Sequence, residues 1–161
     1  MTDVATDYGL YLFQGPNPAS GTDTLLYIGK ANGETFGARF SQADRLMWDP
    51  DKFPTTDNAR LMRFFTGRIL PTPDQPRDAI DDALWGEYID KAEKLLIAAH
   101  APPWNAQGVG GIPAKKAEDY DDCHVLNWGT RASLLPEVSG VRHSWAVFNG
   151  IGDNPLRWTE E

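Results

Sequence analysis

Two short apolar runs near the start of the chain, Tyr8 to Gln14 (YGLYLFQ) and Thr24 to Lys30 (TLLYIGK), flank the segment GPNPASGTD. Runs of this length separated by Gly, Pro, Asn and Ser read as two strands of a β-hairpin with a long connection. Strand side chains alternate between faces, so Leu10, Leu12, Leu26 and Ile28 share one parity and Gly9, Tyr11, Phe13, Tyr27 and Gly29 the other. If the strands pair, two tyrosines stand together among glycines, and a core must form against the leucine face.

Downstream patterning supplies the partners for that hairpin. Phe36 to Trp48 carries Phe36, Phe40, Met47 and Trp48 near helical spacing, with Ala38 and Ala43 as good helix formers, and Asp49-Pro50 stops it. Arg60 to Leu70, closed by Pro71 and Pro73, suits a third strand by its length. From Asp78 to His100 the residues Ile80, Leu84, Tyr88, Ala92, Leu95, Leu96 and Ala99 recur at three-to-four spacing, which predicts a long helix. Asp78, Asp81 and Asp82 suit its N-terminus electrostatically, and Pro102-Pro103 ends it. GVGGIP reads as a turn or loop ahead of the charged stretch KKAEDYDD. Two strand-like runs, His124 to Trp128 and Ser144 to Phe148, then enclose an irregular segment. The tryptophan, leucines and valines of residues 127–142 suggest packing against the core, where the segment would shape a substrate groove. The expected fold class is α+β, with a central three-stranded antiparallel sheet flanked by helices and a C-terminal extension carrying extra strand-like segments.

A chain of 161 residues suits one substantial core and not two. No repeat, low-complexity tract or linker marks a boundary, so residues 1–161 read as a single domain, with a core over 8–105 and the extension over 106–161. Six tryptophans, seven phenylalanines and five tyrosines argue against disorder. One cysteine, Cys123, cannot form an internal disulfide, and the start MTDVATDYGL has neither a basic nor an apolar leader region. A soluble protein of the reducing cytoplasm, with no membrane anchor, is expected.

The net charge of −8 runs against the basic surface that phosphate binding usually requires. Residues 25–70, with seven basic and five acidic side chains, form the only net-basic stretch of the chain. Glu93 is unusual within the long helix, because Ile89, Ile97 and Leu96 place it in an apolar row. A carboxylate there must find a cation or hydrogen bonds, since burying it alone costs several kcal/mol, roughly. Either an ion pair with Arg39, Arg60 or Arg63, or a bound metal ion, meets that need.

The strands hold Gly9-Leu10-Tyr11 and Tyr27-Ile28-Gly29, and further on come Gly29-Lys30-Ala31, Gly37-Ala38-Arg39-Phe40, and Glu93 followed by Leu95-Leu96-Ile97 and Pro102-Pro103-Trp104-Asn105. In this order and spacing, including twelve positions from Glu93 to Asn105, the sequence resembles the GIY-YIG nuclease family, among it the N-terminal domain of the excision-repair incision subunit. The first motif has leucine in place of isoleucine. Fifteen residues separate Tyr11 from Tyr27, more than is usual there, though a loop insertion is entropically cheap.

The resemblance implies an endonuclease that hydrolyses phosphodiester bonds, in DNA before RNA, with one Mg2+ and with Mn2+ as a substitute. It makes Tyr11, Tyr27, Lys30, Arg39, Glu93 and Asn105 the catalytic set and Glu93 the metal ligand, a carboxylate holding an ion that keeps most of its waters. Arg39 would bind non-bridging phosphate oxygens, and Tyr27 would orient water or phosphate. Tyr11 is the first candidate for general base, which requires nearby cations to lower the ordinary tyrosine pKa of about 10. Lys30 is the second, through an ammonium partly desolvated beside a metal. Asn105 would organise the surroundings of the metal. Ala43 stands where many members carry a tyrosine or histidine, so one possible base is missing.

Arg60, Arg63 and Arg68, on or near the third strand, either contact nucleic acid or solvate an edge. No helix-turn-helix, zinc finger or other reader is visible, so specificity would be low or come from a protein partner. Cys123-His124 and His143 lack the spacing of a zinc site, and Cys123 reads as buried before nucleophilic. GVGGIP does not have the context of a nucleotide loop. The acidic charge and Ala43 support an alternative: a catalytically inactive module of the same fold that binds nucleic acid or a basic protein.

Overall fold

A computed structural model describes residues 7–41, 61–69, 82–105, 120 and 123–140. They form an α+β structure in the order β1 (Gly9–Asn17), β2 (Gly21–Ala31), α1 (Phe36–Ser41), β3 (Arg63–Gly67), α2 (Asp82–His100), β4 (His124–Leu126) and β5 (Glu137–Ser139). β1, β2 and β3 make an antiparallel sheet in the order β2-β1-β3, and β4 and β5 make a separate antiparallel pair. No helix among the described residues is long and apolar enough to cross a membrane.

The hairpin forms as its patterning predicts, but the connection is short rather than long. Both strands run on through most of GPNPASGTD, and the turn is confined to Pro18–Ser20. Two register shifts make room for this, one between Phe13 and Gln14 and one between Gly15 and Asn17. Pro16, which lacks an N–H for the ladder, falls in the second shift, where its missing donor costs nothing. Asn17 closes the turn by accepting the Ala19 and Ser20 N–H groups on its side-chain oxygen.

The first shift corrects the expected parity. Phe13 pairs with Tyr27 and Gln14 with Leu25, leaving Leu26 as an extra residue in β2. A one-residue bulge exchanges the faces of the residues before it. Leu25 therefore joins Leu12 and Ile28 in the core against α2, while Leu26 turns to the tyrosine side. The Leu26 carbonyl, left outside the ladder, accepts the Trp104 N–H at 2.9 Å.

α2 buries Trp85, Ile89, Ala92, Leu95, Leu96 and Ile97, and its first expected residues, including Ile80, lie outside the described residues. Trp85 takes the place expected of Leu84, which is exposed, because 85, 89, 92 and 96 trace the helical stripe more closely. The helix ends at Ala101, in the left-handed region with φ of 44°, and Pro102-Pro103 prevents its continuation. The third strand is shorter than the expected residues 60–70, and the expected continuation of α1 to Trp48 lies outside the described residues.

Two clusters flank the sheet. Leu12, Leu25 and Ile28 pack with Leu95, Leu96 and Ile97, and with Tyr120 and Val138 from the C-terminal part of the chain. On the other side Tyr11, Phe13, Leu26, Ala31 and Phe36 pack together. The expected irregular segment instead contains β5, where Val138 is buried between the exposed Glu137 and the half-buried Ser139. The second expected run, Ser144 to Phe148, lies outside the described residues.

His100 ties this C-terminal part to α2. Its Nδ1 donates to the Leu96 carbonyl at 2.9 Å and its Nε2 accepts the Leu135 N–H at 2.9 Å, a pattern that requires neutral imidazole. Burial lowers its pKa below the ordinary histidine value, partly offset by the bond to Leu96. The unfolded chain therefore binds the proton more readily. This contribution to stability is complete above about pH 6.5 and declines as pH falls from there to the lower folded value. The urea midpoint should fall between pH 8 and pH 5, and His100→Gln should flatten part of that fall; equal slopes for both proteins would contradict the assignment.

Candidate active site

The tyrosines of the site lie on the sheet face away from the main α2 core. The β1–β2 register sets Tyr11 opposite Gly29 and Phe13 opposite Tyr27, so the two tyrosines are diagonal neighbours on one face. Their ring centroids are 6.0 Å apart. Gly29 is required for this packing: a Cβ built there would lie 2.5 Å from Tyr11 Cζ and 2.7 Å from its hydroxyl oxygen. The Tyr11 ring thus lies over a bare backbone.

α1 delivers the arginine. Thr35 caps the helix by accepting the Ala38 N–H on Oγ1 at 3.2 Å. Phe36 and Phe40, one turn apart and stacked at 5.9 Å, pin its inner side, and Phe40 meets the Tyr11 ring edge-on at 5.1 Å. Arg39 between them donates a hydrogen bond to the Tyr11 hydroxyl, the main reason its own pKa is raised, and pairs with Glu34 at 3.5 Å.

Burial is the largest cause holding Tyr27 well above the ordinary tyrosine pKa; the Tyr11 hydroxyl and the Glu93 carboxylate add to it, and Arg39 opposes it. The Tyr11 hydroxyl thus stands within hydrogen-bond reach of both Tyr27 and Arg39.

α2 supplies the carboxylates. Glu93, with its side chain 15% exposed, pairs with Lys30 at 2.8 Å, and Asp90 pairs with the same ammonium at 3.0 Å. The cation that satisfies Glu93 is thus Lys30 of β2 and not Arg39 or Arg63. Burial acts to lower the Lys30 pKa, but the bonds from Glu93 and Asp90 outweigh it and the net shift is upward. Lys30 is a held cation in this arrangement. Burial likewise opposes ionisation of Asp90, yet the bonds from Lys30 and Asn32 bring its pKa below the usual carboxylate value.

Asn105 sits behind the tyrosines. Its Oδ1 accepts the Ile28 N–H at 3.0 Å and its Nδ2 donates to the Ile28 carbonyl at 2.8 Å. Together with the Trp104 to Leu26 bond, this covers the outer edge of β2 at the residue between Tyr27 and Gly29. Asn105 positions the strand and does not face the reacting groups.

Tyr11, Tyr27, Lys30, Arg39 and Glu93 are brought together. Of the three arginines expected to bind nucleic acid, Arg63 and Arg68 are not part of that group. Arg63 is opposite Gln14, so it points to the α2 side of the sheet, and it pairs with Asp23. Arg68 pairs with the buried Asp7, while Arg60, like Ala43, lies outside the described residues. The half-buried Cys123 packs beside the α2 core, where burial raises the thiol pKa and keeps it protonated. Sequence reasoning missed Asp90, Asn32 and Glu34. Asp90 could have been found, since three positions before Glu93 is the same helix face.

A divalent ion is compatible with this donor set. Among the described residues no group of three or more His, Cys, Asp or Glu side chains converges, which leaves no all-protein cage. Glu93 is a single, partly open carboxylate that already attracts a cation, the kind of ligand a hard and strongly hydrated ion such as Mg2+ accepts.

Set beside known protein families, curated proteins and solved structures, the chain matches none of them.

Gly29→Ala should push the Tyr11 ring off the strand, cost about 1–3 kcal/mol in urea unfolding as overpacking does, and remove the bond between Tyr11 and Arg39. Unchanged stability would contradict the close packing described.

Proposed function

We propose that the chain is a metal-dependent endonuclease of the GIY-YIG type, acting on nucleic acid, with DNA as the first substrate to test. The observation that supports it most is that β1, β2, α1 and α2 bring Tyr11, Tyr27, Arg39 and Glu93 to one place, where Glu93 and Arg39 act on Tyr27 in opposite directions. Side chains of this chemistry have no reason to converge for packing alone.

Glu93 would hold the Mg2+, which when bound supplies positive charge for the leaving oxygen. Arg39, already turned into the site by Phe36 and Phe40, would donate to the non-bridging phosphate oxygens as their charge grows. Tyr11 would accept the proton of the attacking water once its own phenolic proton has passed to solvent, with Arg39 beside its oxygen to stabilise the phenolate. Tyr27 keeps its own proton and remains a donor throughout. Lys30 would neutralise charge near Glu93. Sequence preference would be low or supplied by a protein partner, and the cytoplasm is the compartment consistent with the free Cys123.

The net charge of −8 and the ion pairs that occupy Arg63 and Arg68 favour a second reading, a non-catalytic module of the same fold that binds a basic partner or binds nucleic acid without cutting it. Cleavage of plasmid, single-stranded DNA, branched DNA and RNA in Mg2+ or Mn2+ separates the two. The nuclease reading expects cleavage by the wild type, loss of it in Glu93→Gln, and a fall of about 10²–10³ in kcat for Arg39→Ala, the usual scale for losing one charge-stabilising donor. A folded wild type that cuts none of these substrates would overturn it.

A further inference from the structure

The contacts that run from the end of β2 into α2 contain more than the nuclease reading uses. Lys30 Nζ is shared between Glu93 Oε2 at 2.8 Å and Asp90 Oδ1 at 3.0 Å. Asp90 is itself fixed, because the Asn32 amide donates to the same Oδ1 at 2.7 Å and to the Gly86 carbonyl at 3.1 Å. Gly86 leaves room for this bridge: a Cβ there would come within 3.0 Å of Asn32 Oδ1. Glu93, Asp90 and Gly86 of α2, with Asn32 just after β2, thus hold one ammonium against two carboxylates.

We infer that Asp90 is a positioning residue for Lys30, holding its ammonium beside Glu93 so that a divalent cation arriving there displaces Lys30 from one carboxylate and not from the site. The inference rests on the nuclease reading of Glu93. An ammonium paired with Glu93 alone would compete fully with the incoming ion and, once displaced, would be lost to solvent on its flexible stem. A second, immobilised acceptor changes both outcomes. Lys30 gives up Glu93 at lower cost, since Asp90 still balances its charge, and it stays within reach of the phosphate that approaches the metal. Asp90 Oδ1 already receives two donors, from Lys30 and Asn32, which suits it to hold Lys30 and not to ligate the ion.

Mn2+ binding to the full chain, followed by electron paramagnetic resonance, tests this without relying on cleavage. Lys30→Met should tighten binding about tenfold by removing the competitor, and Asp90→Asn should weaken it about tenfold by leaving Lys30 on Glu93 alone. In the Lys30→Met background, Asp90→Asn should change the affinity by no more than about twofold. Asn32→Ala, which alters no charge, should weaken binding in the same direction as Asp90→Asn. Equal weakening by Asp90→Asn in both backgrounds would overturn the proposal by making Asp90 a contact of the ion itself. Unchanged affinity in Lys30→Met would overturn it by removing the competition. Mn2+ binding by none of the proteins would sink the metal reading of Glu93 as well, whereas binding with the wrong pattern would sink only the role given to Asp90.

Discussion

The antiparallel pairing of β1 with β2, in the register that sets Gly29 opposite Tyr11, is the constraint from which the rest of the site follows. It lays the Tyr11 ring across a residue without a side chain and puts Tyr27 diagonally beside it. The bulge at Leu26 fixes that register from one side, because slipping by one residue would carry the tyrosines to the α2 core. The edge of β2 is then covered by Trp104 and Asn105, whose bonds to Leu26 and Ile28 replace those of a further strand. The arginine from α1 and the carboxylates from α2 meet at a surface the hairpin has already shaped.

Electrostatics give the site its asymmetry. Burial, the Tyr11 hydroxyl and the Glu93 carboxylate hold Tyr27 protonated, while Arg39 stands beside the Tyr11 hydroxyl. Glu93 lies in an apolar row of α2 and its charge must be answered, and Lys30 answers it from the neighbouring strand. In the proposed reading the same ammonium would compensate the site before a divalent ion binds and would stay within reach of a phosphate afterwards. In this acidic chain Arg63 and Arg68 are committed to Asp23 and Asp7 and not to a broad basic surface.

Much of this was legible in the sequence because it is local. Alternation in YGLYLFQ and TLLYIGK gives the hairpin, helical spacing gives α2, and Pro102-Pro103 gives its end. The turn length and the parity of Leu25 and Leu26 were not legible, since a bulge is decided by which face must be filled and leaves no periodic signature. β5 escaped for a related reason: three residues with one buried valine carry too little pattern to stand out. The partners of Glu93, Arg63 and Arg68 depend on tertiary contacts between Lys30, Asp23, Asp7 and residues far along the chain, so composition could name the candidates without choosing among them.

The account turns on Glu93 being the single protein ligand of one divalent ion beside Tyr27 and Arg39. Anomalous X-ray scattering from crystals of the protein soaked in Mn2+ tests that most directly. One Mn2+ peak against the Glu93 carboxylate, with Lys30 moved from Glu93, is expected. A peak elsewhere, or none with Lys30 still paired to Glu93, would contradict it.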